Sequence, residues 1–200
     1  MQIYKTRLAQ RVAVVVVVGS VLAGCAGAPQ RKEDQPGTRS IVNVPAEARE
    51  EFDAAMAAIQ DEKYEEGIKL LNKVVASAPD VAVPYIDLAI AHEKLGDLKS
   101  AEDNLKHALT LEPDNPVANN EYGILYRKTG RFREAKQTYE MLLDKYPHYA
   151  AAHRNLGILC DIYLRDYGCA LNEYEAYSSA VPGDKNAKIW IADLQARIKK

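Results

Sequence analysis

Pro79, Pro113 and Pro147 stand 34 residues apart, and Pro182 comes after a further 35. A fixed interval of that size marks a supersecondary unit stacked on copies of itself, so the chain reads as a repeat array. Small residues keep the same beat. Ala55, Ala89, Gly123 and Gly157 fall in the first half of each unit, and Gly67, Ala101, Ala135 and Ala170 in the second. With a helix in each half, these positions let two helices approach with little side chain between them, while larger residues fill the space around the crossing. Gly96 and Gly130, in KLGDL and KTGRF, end the first helix with a residue that accepts a left-handed backbone. Each proline stops the second helix. The outer units are looser: QDEKY and YLRDYG have no glycine at that turn, and the last unit is one residue longer.

The remaining slots carry a family likeness. Before Pro147 they hold Asn119, Tyr122-Gly123, Tyr126, Ala135 and Tyr139, and before Pro113 they hold Tyr85, Leu88-Ala89, His92, Ala101 and Leu105. Before Pro79 come Glu51, Ala54-Ala55, Ala58, Gly67 and Leu71; before Pro182 come His153, Leu156-Gly157, Cys160, Ala170 and Tyr174. This resembles the tetratricopeptide repeat (TPR), a two-helix unit. The resemblance implies an all-α fold over residues 46–183: a right-handed α-solenoid of about four helix pairs, near 48–80, 82–115, 116–149 and 150–183. Beyond Pro182, residues 184–200 place Ala187, Ile191, Leu194 and Ile198 on one helical face, with Trp190 beside it. Since a solenoid exposes the core of its last unit, this amphipathic helix is expected to cap the array.

At the N-terminus, Lys5, Arg7 and Arg11 precede an uncharged run from Val12 to Gly24, the shape of a secretory signal. That run is 13 residues long, and about 20 are needed to span a bilayer. It ends in Leu22-Ala23-Gly24-Cys25, which resembles the lipobox of bacterial lipoproteins. The resemblance implies recognition of Leu22, Ala23 and Gly24 by the signal peptidase, removal of residues 1–24, diacylglycerol on Cys25 and a fatty acid such as palmitate on the new amino terminus. An uncleaved anchor or a plain signal peptide is the competing reading, against which the four positions Leu22 to Cys25 fit the lipobox. Ala26 stands after the cysteine where an inner-membrane retention signal has aspartate, so the expected location is the outer membrane, facing the periplasm. Residues 25–45 have no helical periodicity and are rich in proline, glycine and charge, as in a flexible tether. Its root-mean-square reach is about 25 Å.

The full chain has 26 basic and 28 acidic residues; loss of Lys5, Arg7 and Arg11 leaves 23 against 28. That acidic balance gives no reason to expect nucleic acid as a partner. The chain lacks H-E-x-x-H, G-x-S-x-G and G-x-x-x-x-G-K, so neither an enzyme nor a cofactor or small-molecule substrate is expected. His148 and His153 are five residues apart, off a common helical face, so no metal site is expected from them.

What is left is a binding surface. In TPR proteins the first helices line a concave groove, and the resemblance assigns its stripe here to Met56, Ile90, Ile124 and Ile158. One turn earlier lie Phe52, Ile86, Asn120 and Arg154; near the far edge lie Ile59, Glu93, Arg127 and Asp161. Such a groove suits an amphipathic helix or an extended peptide from a protein partner. The bland alternative is that the stripe packs between neighbouring helices. Arg127, Lys128, Arg131, Arg133 and Lys136 crowd around the third turn, either to orient an acidic partner or as a solvated turn.

Once Cys25 is lipidated, Cys160 and Cys169 remain, and an exported protein resides where thiols oxidise. Cys160 takes the slot of Tyr126. If the extra residue of the last unit lies beyond Cys169, that cysteine faces the first helix; if it lies in YLRDYG, Ala170 does, and Cys169 turns partly aside. A bridge between Cys160 and Cys169 is expected, with two free thiols as the alternative. Together these readings describe a lipid-anchored periplasmic adaptor in the assembly of a cell-envelope machine. A type IV-like pilus or secretin ranks first, ahead of a TonB-type transport system or a scaffold for cell-wall enzymes.

The lipobox predicts that cells fed an alkyne fatty acid label the wild-type chain and leave Cys25→Ala unlabelled at the higher precursor mass. Equal labelling of both removes the lipidation reading.

Overall fold

The structure, a computed structural model, describes residues 44–199. Leu22, Ala23, Gly24 and Cys25, the signal segment 1–24 and all but the end of the tether lie outside the described residues. The chain enters through Val44, buried against the first pair, and a 3₁₀ turn at Ala46–Ala48. Helices then come in pairs: α1 (Arg49–Gln60) with α2 (Tyr64–Ser77), α3 (Ala82–Lys94) with α4 (Leu98–Leu111), α5 (Pro116–Lys128) with α6 (Phe132–Lys145), and α7 (Ala150–Ile158) with α8 (Tyr167–Ala180). A last helix, α9 (Lys185–Ile198), packs on α8. No strand occurs among the described residues. Each second helix stops two residues before its proline. Each pair packs on the next, and the first helices also touch in succession, α3 with α5 and α5 with α7. The fold is the all-helical solenoid that the period predicts.

Local chemistry sets the helix starts. Asn115 Oδ1 accepts the N–H groups of Val117 and Ala118, both at 3.0 Å, ahead of Pro116, the first residue of α5. Asp97, Asp166 and Asp184 cap α4, α8 and α9 in the same way. At the turns within pairs, Gly96 and Gly130 have φ of 80° and 76°. The outer pairs make that turn without glycine, through Glu62 at φ 62° and Arg165 at φ 55°, a conformation that costs a residue with a Cβ about 1 kcal/mol.

Every crossing residue read from the sequence is buried, and the crossings divide one volume in two ways. Ala55 and Ala89 lie in the first helices of pairs whose second helices supply Leu71 and Leu105 at the facing slot. Gly123 and Gly157 face Tyr139 and Tyr174 instead. A Cβ on Gly123 would lie 2.6 Å from Tyr139 Cζ, and one on Gly157 2.6 Å from Tyr174 Cδ1. Each missing methyl is where a ring lies. Burial also pushes the Tyr139 hydroxyl well above the usual phenol pKa.

The extra residue of the last unit can be located by one hydrogen bond. At the turn of the first three pairs an N–H donates to a carbonyl five residues back: Lys63 to Ala58, Asp97 to His92 and Arg131 to Tyr126. In the fourth, Asp166 donates to Cys160, six residues back, at 2.8 Å. The insertion is therefore in YLRDYG, absorbed as a π-helical segment, Leu159–Leu164, that continues α7. Ala170 accordingly takes the small slot and is fully buried, while Cys169 is half-buried.

Ala187 and Leu194 of α9 are fully buried, and Trp190 stands 5.4 Å from the Tyr174 ring and 6.2 Å from that of Tyr177. Ile198, expected on the same face, is the last residue of the helix and stays exposed.

Gly123→Ala is expected to destabilise the domain by about 1 to 3 kcal/mol through overpacking, measured by urea unfolding. Adding Tyr139→Leu recreates the Ala–Leu crossing of the first two pairs. The double variant should recover part of that loss, and strict additivity of the two single effects would show that the slots do not share one volume.

Candidate functional site

The stripe Met56, Ile90, Ile124 and Ile158 recurs at one position of the four first helices, and all four side chains are half-buried. They are neither wholly packed nor free. The residues one turn earlier divide differently: Phe52, Ile86 and Asn120 are buried at 1, 3 and 4 % exposure, and Arg154 is exposed. Phe52 and Ile86 are core residues of the first and second pairs and so do not line a binding wall. Asn120 accepts a hydrogen bond at 2.9 Å from Asn155 Nδ2, one pair along, and so fixes the spacing of α5 and α7. The expectation that these three offer a binding surface is corrected: they are packed inside the array. An asparagine at one slot and aliphatic or aromatic residues at the others hid this, because the helical period does not separate an interior residue from a rim residue.

Toward the C-terminal end of the stripe lie side-chain contacts that the repeat pattern does not reveal. Arg197 of α9 reaches back to Asp161 with two hydrogen bonds, at 2.8 and 3.1 Å, and Tyr174 OH adds a third at 3.4 Å. The carboxylate raises the pKa of Arg197 further, and burial pushes the Tyr174 hydroxyl up to about 12. Asp161 is thus engaged within the fold. Arg127 donates to Tyr163 OH at 3.4 Å and lies 5.7 Å from the centre of that ring.

The basic cluster of the third turn is largely neutralised. Lys128 pairs with Glu93, Arg131 with Glu102 and Glu134 at 3.2 and 3.3 Å, and Lys136 with Asp166 at 3.5 Å. Arg133 alone of the five has neither a side-chain hydrogen bond nor an ion pair among the described residues, so the solvated-turn reading of the cluster is the better one. His153 sits between Glu173, 2.7 Å from Nδ1, and the Pro147 carbonyl; the carboxylate raises its pKa.

The two described cysteines are joined: Cys160 and Cys169 form a disulfide with a Cα–Cα distance of 5.9 Å. That lies inside the roughly 7 Å limit for bridging even with Ala170 in the small slot. Asp166 approaches both sulfur atoms, and the three potential ligand atoms lie within 4.8 Å of one another. The two sulfurs are bonded to each other, however, and Asp166 is committed to capping the Cys169 N–H at 3.1 Å. The bridge ties the π-helical segment to the first turn of α8.

Sequence models of the tetratricopeptide repeat match residues 52–116 and 93–156. Among solved structures, PilF of Pseudomonas aeruginosa is similar with a TM-score of 0.70 and 21 % identity, over 76 % of this chain and 70 % of that one. MamA from Desulfovibrio magneticus RS-1 is similar with a TM-score of 0.65 and 17 % identity, over 78 % of this chain and 88 % of that one. A thermophilic TPR protein of Thermus thermophilus is similar with a TM-score of 0.67 and 18 % identity, over 76 % of this chain and 83 % of that one. At these identities the likeness is one of fold.

The bridge predicts that Cys160 and Cys169 resist alkylation under denaturing, non-reducing conditions, read by intact mass. Cys169→Ser should keep the helical signal and lose about 2.5 kcal/mol, the loop entropy of so short a closure. Alkylation of both cysteines in the unreduced wild type overturns the bond.

Proposed function

This chain belongs to the tetratricopeptide-repeat family, and we propose that it is an adaptor that binds a protein partner along the half-buried stripe of its first helices. The observation that carries the reading is the recurrence of Met56, Ile90, Ile124 and Ile158, each with part of its side chain still accessible, on the four first helices, of which α3, α5 and α7 touch in succession. A helix or extended peptide laid across such a row buries apolar surface at every repeat. Specificity would come from the charged ends: exposed Arg154, and Arg127 held by Tyr163. TPR proteins generally work as non-catalytic scaffolds, and an adaptor needs no cofactor.

The adaptor is held in the cell envelope by lipid on Cys25, at the periplasmic face of the outer membrane. No helix among the described residues is long and apolar enough to cross a membrane. The attachment in this reading is through acyl chains on Cys25, two or more of which anchor stably. The machine we favour is a type IV-like pilus or its secretin. The support is the lipobox together with the likeness of the fold to PilF, a protein whose name points to pili.

Ile90→Asp with Ile124→Asp is the test. Losing two apolar anchors of about 1 to 2 kcal/mol each should weaken partner capture by roughly 30- to 1,000-fold, in pull-downs from envelope extracts. Helicity and melting temperature should stay close to wild type, since both side chains are half-exposed. A variant that unfolds refutes the contact role and returns the stripe to packing.

A further inference from the structure

In the third pair the turn between helices is polar, Lys128-Thr129-Gly130-Arg131, and in the second, Lys94-Leu95-Gly96-Asp97, one apolar side chain, Leu95, is exposed at 42 %. In the fourth the π-helical segment runs up to the turn at Arg165 and ends in Ile162-Tyr163-Leu164, three consecutive apolar side chains exposed at 63, 41 and 36 %. Leaving Ile and Leu in water on a rigid turn is unfavourable, and here the turn is held in place. The Cys160–Cys169 bridge closes its base. Phe132 packs on Tyr163 at 4.9 Å between ring centres, and Arg127 bonds the hydroxyl of that tyrosine. The third and fourth turns are therefore neighbours on one edge of the array.

The charges on that edge are lopsided. Asp161 is taken by Arg197, Asp166 by Lys136 and by the cap of α8, and Glu134 by Arg131. Asp97 of the second turn caps α4 and pairs with His92. Lys94, Arg133 and Arg165 are exposed and make no ion pair among the described residues. The edge thus offers free cations beside an apolar tip, with its carboxylates already satisfied.

We propose that this stapled turn docks on an anionic phospholipid surface, with Ile162 and Leu164 entering the headgroup–acyl boundary, Tyr163 at the interface, and Arg133 and Arg165 facing lipid phosphates. Three consecutive exposed apolar side chains at the end of the π-helical segment make a small apolar tip, which fits a deformable, laterally extended surface. Tyrosine suits the depth where one end of a side chain is apolar and the other wet. Free cations supply attraction that falls off with salt. The proposal stands apart from the lipid anchor, which attaches the chain without dictating which face of the repeats meets the bilayer.

The test uses the full chain with Ile162→Trp, bound to vesicles of phosphatidylcholine with or without phosphatidylglycerol, some carrying brominated acyl chains. Trp190, held by Tyr174 and Tyr177 in the cap, sets the wild-type background. Flotation of the wild type reports the anchor; quenching of the indole introduced at position 162 reports the turn. The expected result is bromolipid quenching of that indole several-fold stronger on anionic than on neutral vesicles. It should be reduced by salt at about 0.5 M, where the Debye length is about 4 Å, and by Arg133→Glu with Arg165→Glu. A chain that floats while the new indole stays unquenched overturns the proposal, as does quenching that ignores lipid charge. An emission shift of the variant that depends on protein concentration without lipid assigns the turn to a second copy and also overturns it.

Discussion

The close approach of two helices at one crossing, repeated four times, is the constraint on which the rest of this molecule depends. The chain fills the space at each crossing with alanine opposite leucine in the second pair and glycine opposite tyrosine in the last two, and the first pair also sets alanine against leucine. Because interiors are packed to crystal-like density, a methyl group added on one side of a crossing is tolerated only if the facing side chain gives up volume. Tyr174 brings more than volume. Its hydroxyl reaches Asp161 and its ring meets Trp190, so the last glycine crossing is joined both to the π-helical segment and to the capping helix.

That rigid spacing sets what the groove can be. With each pair held on the next, a residue at one slot becomes interior and its neighbour one turn away becomes rim. Phe52, Ile86 and Asn120 are lost to the interior, and the row of Met56, Ile90, Ile124 and Ile158 keeps part of its side chains accessible. The Asn155–Asn120 bond adds a directional tie where an aliphatic pair would only add area. Arg197 then holds Asp161 at the far end.

The period, the crossing residues, the left-handed glycines and the capping helix were all legible in the amino-acid sequence, because each is a local or strictly repeating requirement. Two kinds of feature were not. Burial at the slots of Phe52, Ile86 and Asn120 depends on the angle between neighbouring pairs, which no spacing within a pair encodes. The reach of Arg197 to Asp161 joins residues 36 apart, from a helix outside the repeats, and so obeys no repeat rule. The extra residue of the last unit was visible as a count, and its place in YLRDYG needed the six-residue hydrogen bond from Asp166 to Cys160.

The disulfide at that turn also changes how the array carries tension. A repeat array pulled from its ends is loaded along the chain, and unstapled repeats yield by extending to their full length. Cys160 and Cys169 are nine residues apart, so the bridge withholds roughly 30 Å of extended chain at about 3.4 Å per residue. The fourth pair is thus the shortest step in any stretching of the molecule, and force passing through it runs along a covalent short cut that leaves the π-helical turn unloaded.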